Sequence, residues 1–178
     1  MDKKAQIWIE TVLYTLMGLA LIGIVLAVAT PKINESRDRI LVEQTIESLN
    51  AWDSKIGELV DRGQGNVRNI PTFTMKRGEL IINSTSDEII FVVGELSSPY
   101  SEVGFEIREG NIYLTSYETE RSAYTVLVLK YQNIANITYA GEDTDKKFNA
   151  ASTPYAFSIK NLGGQPYVQI DIEETSRR

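Results

Sequence analysis

The chemistry open to this chain is bounded by two absences. The sequence holds no histidine and no cysteine. That removes Ser-His and Cys-His nucleophiles, His/Cys zinc sites and disulfides. Carboxylate, lysine and hydroxyl chemistry remains, but no paired-acid motif and no glycine-rich phosphate loop is present. No catalytic residue and no cofactor is expected. "GEDTD" gathers Glu142, Asp143 and Asp145 in a loop. Oxygen ligands so placed suit calcium, yet the remainder of a calcium loop is missing, so the run reads as a solvated turn and no metal is expected. A net charge of −6 argues against a nucleic-acid surface. One acid is out of place. Glu10 is the fourth residue of a 23-residue apolar run, Ile7 to Ala29. A carboxylate in hydrocarbon is costly and usually has a partner.

The element that carries Glu10 is long enough to cross a bilayer, which takes about 20 residues at roughly 1.5 Å each. It is longer than the apolar region of a secretory signal peptide, roughly 7–15 residues. A core helix seldom stays apolar on every side for this many turns. Past Pro31 the pattern becomes amphipathic. Leu41, Val42, Leu49, Trp52, Ile56, Leu59 and Val60 fall on one face, with Glu43, Gln44, Glu47, Ser54, Lys55, Glu58 and Asp61 opposite. Ile33 and Ile40 lie off that stripe. Gly63 and Gly65 are expected to end the helix, so that it runs from Gln6 to about Arg62.

From about residue 63 the pattern turns to strands. They are expected at Gly78–Asn83, Glu88–Val93, Val103–Arg108, Asn111–Ser116, Tyr124–Lys130, Asn136–Tyr139, Tyr155–Lys160 and Tyr167–Ile172. Tyr124–Lys130 is apolar on both faces and reads as central, whereas Gln169 and Asp171 suggest a wet face for the last strand. The expected fold is α+β: a long N-terminal helix, half membrane-inserting and half amphipathic, packed on an antiparallel β-sandwich-like head. The segments are a leader at 1–5, a transmembrane or filament-core helix at 6–31, its amphipathic continuation at 32–62 and a head at 63–178. Leu49, Trp52, Ile56 and Leu59 are expected to dock the helix on the inner face of a sheet that includes Tyr124–Lys130. Gly18 and Gly23 could let helices pack closely. Asn83, Asn136 and Asn34 head Asn-x-Ser/Thr sequons.

The N-terminus narrows the reading. Lys3, Lys4 and Ala5 precede Gln6, and Glu10 is fifth counting from Gln6. This resembles the class III signal peptide of archaeal type IV pilins. Trp8 stands where many of that family carry serine, and Tyr14 where they carry leucine. The resemblance implies cleavage between Ala5 and Gln6, ahead of a helix that is retained. It implies that Glu10 neutralises an N-terminal amine during assembly. It also implies identical subunits, a prepilin peptidase and a membrane assembly machinery as partners. The precursor would then lie in the cell membrane and the product would be an extracellular filament with roles in adhesion. The alternative is a single-pass membrane protein that never polymerises, its β-head serving as an extracytoplasmic binding or secretion-accessory module.

Overall fold

The computed structural model describes residues 3–175, with side chains from Trp8 onward. Helix α1 spans Lys3–Arg62, 60 residues, or about 90 Å. Lys3, Lys4 and Ala5 of the expected leader belong to the same helix, whereas Met1 and Asp2 lie outside the described residues. Pro31 sits inside it without ending it, although its missing N–H forfeits the bond to the Ala27 carbonyl. Two threonine hydroxyls in the apolar half bond back to the helix. Thr15 donates to the Thr11 carbonyl at 2.9 Å and Thr30 to the Leu26 carbonyl at 2.7 Å. Gly63, at φ +83°, turns the chain out of the helix.

Ten strands follow among the described residues: β1 (Val67–Phe73), β2 (Glu79–Asn83), β3 (Glu88–Leu96), β4 (Glu106–Glu109), β5 (Ile112–Glu118), β6 (Ala123–Lys130), β7 (Ala135–Tyr139), β8 (Lys146–Asn149), β9 (Tyr155–Gly163) and β10 (Val168–Glu174). They form a four-stranded sheet, β1-β9-β10-β7, and a six-stranded sheet, β4-β5-β6-β3-β2-β8. The pairing is antiparallel except between β7 and β10. The chain is thus an α+β fold, a long partly apolar helix packed on mostly antiparallel sheets.

The sheets face each other. Phe157 on β9 meets Phe148 on β8 edge-on at 5.1 Å, and Phe73 on β1 meets Phe91 on β3 at 6.3 Å. The second half of α1 lies against both sheets, touching β1, β9 and β10 on one and β3, β5 and β6 on the other. Val42, Ile46, Leu49, Trp52, Ile56 and Leu59 are buried there. Trp52 anchors the seam, its ring 5.4 Å from Phe73 and 5.0 Å from Phe157. Asn161 on β9 clips the end of the helix by donating to the Leu59 carbonyl at 2.6 Å.

β6 is central, between β5 and β3. β1 and β8 lie outside the eight strands expected from sequence, and both are edges. The expected wet face of β10 is closed at Asp171. Only 2% of that residue is exposed, because its carboxylate accepts from the Thr138 hydroxyl at 2.9 Å and the Gly141 amide at 2.7 Å.

Candidate functional site

Two features of α1 stand out, its uncovered first half and the neck where it enters the head. From Trp8 to Thr30 the helix touches no other element, and its large apolar side chains are exposed, Trp8 at 71% and Val28 at 68%. Soluble monomers rarely leave an apolar surface of this extent in water. The segment is long and apolar enough to cross a membrane. Glu10 lies on this uncovered half, on a shallow surface shared with Leu13, Tyr14, Met17 and Ala20. The expected cleavage pair Ala5–Gln6 lies one turn earlier on the same helix. Gly18 and Gly23 face open space, with nothing within 4 Å of where a Cβ would stand.

The neck is built around Asp38, one helical turn before Val42 on the buried face of α1. One carboxylate oxygen accepts from Arg77 Nη1 at 2.8 Å. The other accepts from the Ser97 amide at 2.7 Å and the Ser97 hydroxyl at 2.6 Å. Arg77 also donates to the Glu95 carbonyl at 2.9 Å. Glu95, at φ +55°, lies at the irregularity of β3 between Val93 and Leu96, which turns this carbonyl toward the arginine. Burial by itself would raise the Asp38 pKa. The bonds from Ser97 and Arg77 outweigh it and hold the carboxyl below its ordinary value. Asp38, Arg77 and Ser97 were not among the residues singled out from sequence. The one available signal was an acid aligned with the apolar stripe a turn ahead of it.

The remaining expected sites are dispersed. Leu49, Trp52, Ile56 and Leu59 are buried between α1 and the sheets. Asn34 is exposed on α1 at the neck. Asn83 ends β2, and its side-chain oxygen accepts from the Ser86 amide three residues on at 3.0 Å, within the β2–β3 turn. Asn136 is half-buried on β7, and the hydroxyl of its sequon partner Thr138 is spent on Asp171. In "GEDTD", the Glu142 backbone bonds Tyr139 and the Asp145 carboxylate caps Thr85 at 3.3 Å. Among the described residues no three carboxylates converge where they could hold a metal. A second acid of α1 ties helix to head, with Tyr131 donating to Asp53 at 3.0 Å while Asn111 donates to the other Asp53 oxygen at 2.7 Å.

No family model matches this chain, and neither a curated protein nor a solved structure matches it.

Proposed function

We propose that this protein is a pilin-like structural subunit. Its apolar half-helix holds it in the membrane as a precursor and later bundles with those of identical subunits, leaving the β-heads outside. One observation carries the reading. A single unbroken helix has its second half buried in the head and its first half uncovered, and Glu10 lies in the uncovered part behind a Lys-Lys-Ala-Gln leader. A surface this apolar needs either lipid or other helices around it. A buried acid is tolerable when a matched cation offsets its desolvation. Cleavage between Ala5 and Gln6 creates that cation as a free amine. The subunit performs no catalysis. Processing and assembly fall to a prepilin peptidase and membrane machinery, and the filament's roles include adhesion.

The test has two parts. Mass analysis of the protein from its native cells should show a chain beginning at Gln6. A mature chain that begins at Met1, or that has lost the apolar helix, refutes the reading. Glu10→Ala, expressed at equal membrane level and correctly processed, should give few or no filaments by electron microscopy, because an unpaired buried charge costs several kcal/mol, of the order of 3–5, at every subunit. Normal filaments from the mutant would refute the pairing role. Absence of filaments from wild type supplied with the machinery would favour the bitopic binding module.

A further inference from the structure

The clefts under the head, around the neck, are lined by four cations and two acids in a chain whose net charge is −6. Two adjoining open clefts, of about 450 and 360 Å³, share Arg37, Asp38 and Arg77. Arg121 lines the first and Lys76 the second. These cations come from three places in the chain: α1, the β1–β2 connection and the β5–β6 turn. Arg77 is spent on Asp38, Lys32 on Glu35 and Arg39 on Glu43. Arg37, Lys76 and Arg121 are exposed and make no ion pair among the described residues. The acids in the clefts are Asp38, already saturated by three bonds, and Glu95.

The position of this basic patch selects its partner. Arg37 lies seven residues past Thr30, roughly 10 Å farther along the axis. The headgroup layer of a bilayer begins where the hydrocarbon ends and is roughly 5–8 Å deep. Helical side chains lean toward the N-terminus, so Arg37 leans toward the apolar half. The excess negative charge elsewhere on the chain is repelled by an anionic leaflet, so attraction at the neck and repulsion elsewhere orient the head the same way.

We infer that Arg37, Lys76 and Arg121, with Arg77 between them, seat the underside of the head on the phosphate headgroups of an anionic lipid leaflet while the first half of α1 lies in the bilayer. This rests on the membrane-inserted precursor proposed above and adds to it a lipid-dependent resting orientation of the head. Each unpaired cation favours the seated orientation by roughly fivefold, and the three together by on the order of a hundredfold.

The experiment uses the full chain in nanodiscs of neutral phosphatidylcholine or anionic phosphatidylglycerol. With no native cysteine, Ser122→Cys gives a single fluorophore site in the Arg121 cleft, and the bonds Ser122 makes to Thr119 through its backbone are retained. Headgroup-level spin labels should quench this fluorophore more strongly in anionic than in neutral discs. High salt should erase the difference, and so should the triple variant Arg37→Gln/Lys76→Gln/Arg121→Gln with its unfolding temperature unchanged. Equal quenching in both lipids, or a difference that survives in the triple variant, overturns the inference. So does inorganic phosphate reproducing the anionic signal in neutral discs, which would mean a site for the free ion. Quenching that follows the number of copies per disc rather than lipid charge also overturns it, in favour of an acidic face of a second copy. A separate Ile22→Cys label reports insertion through mid-chain quenchers. If that label is quenched and Ser122→Cys is insensitive to lipid charge, the seating alone fails. If Ile22→Cys is not quenched, the membrane-inserted reading fails and takes the seating with it.

Discussion

At the residue scale, three carboxylates of α1, Asp38, Asp53 and Glu58, bond the helix to the head. Asp38 makes that attachment depend on pH. Its own burial works against the charged form, the Ser97 and Arg77 bonds work for it, and the folded pKa ends below the ordinary value. A depressed acid contributes fully above its unfolded pKa, and its contribution is lost as pH falls through the folded value. Thermal unfolding of the full chain in micelles should therefore show stability declining from about pH 4 downward. Asp38→Asn should lower stability by about 1–3 kcal/mol at neutral pH and flatten that acid limb. An acid limb unchanged in Asp38→Asn would assign it to other groups. Tyr131 behaves oppositely. Burial first, then the charge of Asp53 and the hydrogen bond to it, push its phenol far above the tyrosine range. Its contribution is full below the ordinary tyrosine pKa and is lost as pH climbs toward the raised value. Alkaline titration should leave Tyr131 protonated until the head unfolds, and Tyr131→Phe should remove that late phenolate step.

At the element scale, the stripe on α1 closes the space between two sheets that alone would leave their inner faces open along one side. Trp52 fills most of that seam, so Trp52→Ala should cost about 3–5 kcal/mol, read as a lowered unfolding temperature. Gly78 tests a different constraint. It holds φ +101° where β1 hands over to β2, and a Cβ there would stand 2.3 Å from the Val92 carbonyl oxygen. Gly78→Ala should cost on the order of 2 kcal/mol or more and loosen the adjacent Arg77 clamp. Native stability in that variant would show that the connection can shift. Of the strands visible in sequence, β3 and β6 alternate most regularly between buried and half-buried positions, whereas β4 buries none of its residues. The two that were not visible have physical reasons. β1, "VRNIPTF", carries Pro71, and β8, "KKFN", carries two lysines. Proline and lysine are what edge strands use to discourage further pairing, and they erase the alternation by which a strand is recognised.

At the scale of the whole molecule, the chain divides by what covers it. The head and the second half of α1 cover each other, and Trp8 to Thr30 of α1 are covered by nothing in the monomer. Substitutions on that half should therefore separate folding from assembly. Gly18→Leu and Gly23→Leu meet open space, so the unfolding temperature should stay within an effect of about 0.5 kcal/mol. Filament yield by electron microscopy should fall if helices pack closely there. Yield equal to wild type would place both glycines away from helix contacts.

The sequence by itself determined the uncovered half-helix, the amphipathic stripe that docks the rest of it and the central strands of the larger sheet. Each is a periodic pattern written in contiguous residues, because burial along one face of a helix or strand repeats every 3.6 or 2 positions. Only the tertiary structure decided the neck. Asp38 meets Arg77 and Ser97 across separations of 39 and 59 residues, and Arg121 lines the same cleft from a fourth segment. It likewise decided that Asp171 is buried, because Thr138 lies beside it across the parallel β7–β10 pair. Polar groups brought together from distant segments leave no period in the chain. Their pairing is set by which strands become neighbours, which depends on the packing of the whole head.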